Sequence, residues 1–170
     1  LQHFEGQFLA FPFVQSGRLM RIFTVAQNTH SLGSATLAGR QCCIDLGIIT
    51  NNLDAMLNFY GEQLGLEVES VIDMPGGGVM HRFKVGDSIV KVIETDPKPN
   101  LTAAPGGIRG ATGYRYWTLH ISDLKDKVAS LEAAGVKIVV PMKEIRTGIT
   151  IAIVADPDGN WVELLNNADG

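Results

Sequence analysis

Seven side chains of this 170-residue sequence combine a chemically useful type with a strand-like setting: Asp45, Arg82, Lys91, Tyr116, His120, Trp161 and Glu163. Glu163 is the most informative. It belongs to residues 151–166, IAIVADPDGNWVELLN, which read as two strands joined by an Asp-Pro-Asp-Gly turn. Pro157 pre-sets φ for such a turn, Asp156 and Asp158 can bond their own backbone, and Gly159 takes the positive φ that other residues avoid. Strand alternation then puts Trp161, Glu163 and Leu165 on one face and Val162 and Leu164 on the other. A carboxylate in a half-buried strand must face water or be matched by a partner. If Trp161 and Leu165 line a concavity, Glu163 lines it too and can act as a base or a hydrogen-bond acceptor.

The other candidates follow from the same parity. In RYWTLHI, Tyr116, Thr118 and His120 share a face, and His120 is the histidine best placed for proton transfer there. A two-residue turn at Gly86-Asp87 pairs Val85 with Ser88, which brings Arg82 opposite Lys91 and makes a basic wall suited to a carboxylate, phosphate or enolate oxygen. A one-residue slip would expose Arg82 and turn His81 inward instead, so both registers stay open.

The elements that must hold these side chains occur twice. IDLGII is strand-like, Asn51 or Asn52 can cap a helix, and Leu53, Met56, Leu57, Tyr60 and Leu64 fall on one helical face before Gly65. The strands LEVESVI, MHRFKV and SIVKVIE follow, with turns at Pro75-Gly76-Gly77-Gly78 and Gly86-Asp87. No helix start follows the glycine run, so it reads as a turn at the cavity mouth and not as a phosphate cradle. A Pro-, Gly- and Ala-rich linker covers roughly residues 96–113, as a connector or a lid.

RYWTLHI then opens a second copy: Ser122 or Asp123 as cap, Leu124, Val128 and Leu131 as buried face, Gly135 as stop, and strands VKIVV, GITIAIV and NWVELL. Each half is β-α-β-β-β. Superposing Leu53 on Leu124 places Asp45 on Tyr116, and superposing the turns places Lys91 on Glu163. Such a repeat predicts two modules related by pseudo-twofold symmetry, spanning 42–96 and 114–167. The symmetry also allows Lys91 and Glu163 to meet as an ion pair across the module junction.

At 45% hydrophobic residues the chain can build an ordinary core, and no apolar run approaches membrane-spanning length. A net charge of -4 and a pI near 5.5, with no basic cluster, argue against nucleic acid as a partner. The two cysteines, Cys42 and Cys43, are adjacent and supply no disulfide framework, so a reducing compartment, the cytoplasm, is expected. Residues 1–41 differ in composition. They hold three of the 14 basic residues and one of the 18 acidic ones, a net of +2, and carry an aromatic patch at Phe8, Phe11 and Phe13. They read as an N-terminal extension packing on the domain or on a partner subunit, with a targeting role left open.

The ordered set Asn52-Leu53-Asp54, Phe59-Tyr60, Leu64-Gly65-Leu66, Ser122-Asp123-Leu124, Ala134-Gly135-Val136, Asp156-Pro157-Asp158-Gly159-Asn160 and Val162-Glu163-Leu164-Leu165 resembles the vicinal oxygen chelate superfamily. That superfamily includes glyoxalase I, bleomycin-resistance proteins and extradiol dioxygenases. The resemblance covers residues 42–167. It implies an α+β fold in which two tandem βαβββ modules form a curved eight-stranded sheet around a small-molecule cavity, and commonly a homodimer.

It also implies a metal held at four strand positions, which here carry Asp45, Lys91, Tyr116 and Glu163. Lys91 has the wrong charge for that task and Tyr116 is a poor ligand, so no cofactor is assigned. The leading expectation is a glyoxalase- or lyase-like enzyme that abstracts a proton next to a carbonyl. Glu163, His120, Tyr116 and Lys91 would be catalytic, and Asp45, Arg82 and Trp161 would contact a small, anionic ligand. One alternative is a metal-free binding protein of the bleomycin-resistance type, with walls such as Trp117, Trp161 or Tyr116. A second keeps a divalent metal on a rearranged set of Asp45, His120 and Glu163.

Overall fold

A computed structural model of the protein describes residues 43–168; the readings made for residues 1–41 and for Cys42 lie outside the described residues. The elements run β1 (Asp45–Ile49), α1 (Leu53–Leu57), β2 (Val68–Asp73), β3 (Gly78–Val85), β4 (Ser88–Thr95), β5 (Tyr116–His120), α2 (Leu124–Ala133), β6 (Lys137–Arg146), β7 (Ile149–Ala155) and β8 (Trp161–Asn167). The α+β architecture of paired βαβββ modules is therefore present, with the strands in two four-stranded hydrogen-bonded sheets, β1-β4-β3-β2 and β5-β8-β7-β6. The first strand of each module lies parallel to the last, and the other pairs are antiparallel. Gly47 sits opposite Lys91 and Thr118 opposite Glu163, so the two halves share one register and Lys91 is the symmetry mate of Glu163.

Both sheets turn alternate side chains into one core. Val90 and Val92 from β4 meet Phe83, while Leu119, Ala152, Val154, Val162 and Leu164 come from the second sheet. Helix residues Met56, Phe59, Tyr60, Leu124 and Leu131 complete the cluster. The first helix departs from the uniform α-helix that its spacing suggests. From Asn58 to Gln63 it widens to a π-helical turn, and the Leu64 N–H donates to the Phe59 carbonyl at 2.8 Å, five residues back. Phe59 and Tyr60 are adjacent and both buried, at 1% and 0% exposure. A 3.6-residue repeat sets neighbours about 100° apart, and a wider turn brings both rings inward.

Neither expected helix cap makes a side-chain bond at Asn52 or Asp123. Thr50 Oγ1 accepts the Asn52 N–H at 2.9 Å instead, and the Asn51 amide donates to the Pro99 carbonyl at 3.0 Å. Strand β6 runs beyond Val140 through Pro141 to Arg146. An edge strand tolerates proline, and β6 accommodates it with three register shifts against β7.

Tyr60 ties the modules together. Its ring stacks on Trp117 of β5 at 6.3 Å, and its hydroxyl donates to Asp156 Oδ2 in the β7–β8 turn at 2.9 Å. On the same seam, Lys127 of α2 donates to the carbonyls of Gln63 and Leu64 at 3.3 and 3.2 Å. Burial and the facing Asp156 carboxylate push the Tyr60 hydroxyl well above the usual tyrosine range, so it stays protonated and a donor. Tyr60→Phe is expected to lower stability by about 1–3 kcal/mol, because a buried acceptor loses a partner while ring packing persists. Urea unfolding of the two proteins measures this; an unchanged midpoint would show that the bond contributes nothing.

Candidate functional site

The face of the first sheet turned away from the core carries a ladder of alternating charge. In β1 the burial pattern alternates, with Leu46 and Ile48 packed on the core and Asp45, Gly47 and Ile49 exposed on the opposite face. Gly47 presents no side chain opposite Lys91, and a Cβ there would meet nothing closer than Ile93 at 4.0 Å. Lys91 thus reaches diagonally across this gap, and its Nζ lies 2.6 Å from Asp45 Oδ2. The Gly86-Asp87 turn pairs Val85 with Ser88 and Arg82 with Lys91, as the two-residue turn predicts, and Arg82 is turned to the same face. Its Nη1 lies 3.5 Å from the same Asp45 oxygen, and its Nε donates to Glu69 Oε2.

Glu69 escaped the sequence reading. Val68 pairs with Phe83 and Ser70 with Arg82, which leaves Glu69 as the extra residue of a β-bulge, and a bulge breaks the alternation from which faces are read. The ladder therefore runs Glu69, Arg82, Asp45, Lys91 with no net charge.

Lys91 holds the Asp45 carboxyl below the ordinary carboxylate range, and Arg82 does the same for Glu69. Both contributions to stability are present above the usual values of 3.8 and 4.5 and are lost as pH falls through the depressed ones. Arg82→Met, which removes the guanidinium that faces both acids, is expected to flatten the fall in stability between about pH 5 and 3. Thermal melts of wild type and variant across that range test it; parallel curves would contradict it.

The matching face of the second sheet is different in kind. Glu163 shares it with Trp161 and Leu165, and across the β7–β8 pairing with Ile151, Ile153 and Ala155, which are 6%, 3% and 9% exposed. Thr118, opposite Glu163 in β5, donates its hydroxyl to Glu163 Oε2 at 2.7 Å. Among the described residues no lysine, arginine or histidine forms an ion pair with Glu163. The expected pair between Lys91 and Glu163 is thus corrected. Asp45 lies on the strand beside Lys91, within one sheet, and captures its ammonium first.

Tyr116 is 47% exposed, and His120 is exposed at the far end of β5, where it borders Ser122, Asp126 and Ser130 of the α2 region. Tyr116 pairs with Trp161 and His120 with Leu165, so both stand on the Glu163 face as strand parity predicts, but among the described residues neither makes a hydrogen bond or ion pair to Glu163 or Lys91. Trp117 packs on the core side against Tyr60 and cannot wall a cavity on the Glu163 face.

Trp161 leads into a groove of about 930 Å³ bordered by Asn58, Phe59 and Gln63, by Lys137, and by the 156–160 turn. The linker forms a strap along this groove. Arg115 pins the strap, with Nε donating to the Gly107 carbonyl at 2.6 Å and Nη2 to those of Ala104 and Pro105 at 2.7 and 3.2 Å. Gly107, buried and at φ +55°, lies against the indole, where a Cβ would overlap the six-membered ring of Trp161. Arg115 was also missed by the sequence reading, since its partners are carbonyls and no side-chain motif marks them.

The metal implied by the fold does not fit these residues. Of its four positions, one holds an ammonium already paired with the carboxylate of another, and a divalent cation beside Lys91 would meet like charge. Among the described residues no three His, Cys, Asp or Glu side chains converge, so the rearranged set of Asp45, His120 and Glu163 is not assembled.

Paired βαβββ modules with a polar side-chain set on the coreless face define a small-molecule protein of the vicinal oxygen chelate type. The sequence profile of the Glyoxalase/Bleomycin resistance protein/Dioxygenase superfamily matches residues 43–164, and the chain belongs to that superfamily. No curated protein sequence matches. Among solved structures, a glyoxalase family protein from Enterococcus faecalis is 25% identical, with a TM-score of 0.54 over 74% of this chain and 94% of the other. The trypanothione-dependent glyoxalase I of Leishmania major is 24% identical, with a TM-score of 0.57 over 74% and 86%. TioX from Micromonospora sp. ML1 is 19% identical, with a TM-score of 0.56 over 75% and 99%. The last two show likeness of fold alone. Among the described residues no helix is long and apolar enough to cross a membrane.

Proposed function

We propose that this protein binds a small molecule without a metal, with Glu163 as the anchoring acceptor and Trp161 as an apolar wall. The observation that carries this reading is the 2.6 Å pair between Lys91 and Asp45, which commits two of the four family metal positions to each other. The same pair weakens the proton-abstraction chemistry expected from sequence. An enolate oxygen would have to compete with Asp45 for the Lys91 ammonium, and His120 and Tyr116, although on the same face as Glu163, make no hydrogen bond to it among the described residues. Membership of the superfamily supports a small-molecule enzyme or binding protein, and within that choice the geometry favours binding. A homodimer belongs to the proposal, to be checked by light scattering.

The test is to bind a candidate compound to metal-stripped protein, incubate it for hours, and recover it. Recovery unchanged, at an affinity insensitive to chelator, is expected. Conversion that stops in both Lys91→Ala and Glu163→Gln would restore the enzymatic reading.

A further inference from the structure

We infer that the ligand selected by the Glu163 face carries a cationic nitrogen on an apolar body; this rests on the reading that this face binds the ligand. The two faces of the site differ in how their charges are spent. On the first sheet each cation has its own acid, Lys91 with Asp45 and Arg82 with Glu69, so that wall offers an anion little net attraction. On the second sheet Glu163 is the one acid on its face; Lys137 and Lys143 of the edge strand β6 and His120 of β5 share that face, yet none of them pairs with it, and among the described residues it accepts from a neutral hydroxyl, that of Thr118 at 2.7 Å.

That bond occupies part of the acceptor capacity of one oxygen and leaves Oε1 for a further donor. Ile153 lies directly opposite Glu163, with Ile151 paired to Leu165 and Ala155 to Trp161 on the same face. A carboxylate bordered by apolar side chains meets less competition from water, so a charged donor gains more there than at an open surface. Trp161 stands two residues away, roughly 7 Å along the strand, within reach of the body of a ligand whose amine is held by Glu163. The Gly107 strap covers part of its six-membered ring, and the half-buried indole offers its remaining surface to a cation or an aromatic ring. A primary or secondary amine bearing an aryl or branched alkyl group satisfies both contacts. A small carboxylate satisfies neither, which reverses the anionic ligand expected from the sequence.

Three probes of similar shape separate the possibilities: phenethylamine, phenethyl alcohol and 3-phenylpropionate, titrated calorimetrically into wild type and Glu163→Gln at low salt, with thermal melts confirming that the variant is folded. The amine is expected to bind about tenfold or more tighter than the alcohol, and Glu163→Gln to erase that difference while leaving alcohol binding in place. Equal binding of all three would overturn the charge assignment and leave the binding face standing. Preference for 3-phenylpropionate would overturn it in favour of Arg82 and Lys91 as the anchor. Absence of binding by every probe, in both proteins, would overturn the binding reading itself.

Discussion

Asp156→Ala is expected to unfold about 10–20 °C below wild type, the largest stability loss of any single side chain in the turn. Asp156 is 4% exposed and accepts four hydrogen bonds. Oδ1 takes the N–H groups of Asp158 at 3.1 Å and Asn160 at 2.8 Å; Oδ2 takes the Tyr60 hydroxyl and the Asn160 amide, each at 2.9 Å. Alanine orphans several of these donors together, including the buried hydroxyl that joins the modules, for a loss of about 3–5 kcal/mol.

Burial dominates over those bonds and raises the Asp156 carboxyl above its ordinary value. The folded state therefore holds this proton more firmly than the unfolded chain does. Its contribution is most favourable below the usual 3.8 and declines as pH rises through the raised value, opposite in sign to the slopes from Asp45 and Glu69. Asp156→Asn keeps the acceptor for the two backbone donors and removes the titration. It should cost less than alanine and lose the decline with pH. Scanning calorimetry of the three proteins at several pH values decides the matter. Alanine within 2 °C of wild type would mean that the turn holds without its carboxylate.

The second large effect is expected at Gly107. Its φ of +55° strains any L-residue, and a Cβ would fall on the Trp161 ring, so Gly107→Ala must displace either the strap or the indole. The strap contributes nothing to the shared core, and Arg115 holds it by three carbonyls. The melting temperature should therefore fall by only a few degrees, for a cost of about 1–3 kcal/mol, while the environment of Trp161 changes markedly. In a Trp117→Phe background, which leaves Trp161 as the single tryptophan, the emission maximum should shift to the red by several nanometres. An unshifted spectrum would show that the strap does not cover the indole in solution.

Much of this architecture can be read from the chain because strand parity and turn chemistry are local. Gly86-Asp87 fixes the pairing of Val85 with Ser88, and from it follow Arg82 opposite Lys91 and the match of Lys91 to Glu163 across the modules. The face of Thr118 and Glu163 follows in the same way. What escaped the sequence depends on departures from those repeats or on contacts distant in the chain. A bulge places Glu69, a wide helical turn buries Phe59 with Tyr60, and the bond from Tyr60 to Asp156 spans 96 positions. The partner of Lys91 departs from the symmetry for a related reason. Symmetry suggested its mate Glu163, whereas the empty place left by Gly47 opened a shorter path to Asp45.

In the function proposed above, the Lys91–Asp45 pair stands where relatives with a metal would place one, and the site works through side chains alone. Elemental analysis of purified, tag-free protein, before and after incubation with nickel, zinc, manganese or ferrous iron and removal of the excess, tests it most directly. Metal well below one equivalent per chain under every condition, with ligand affinity unchanged by chelator, is the expected result. Near-stoichiometric metal that disappears in Glu163→Ala would contradict it, because Lys91 would then have to leave Asp45 to admit the ion.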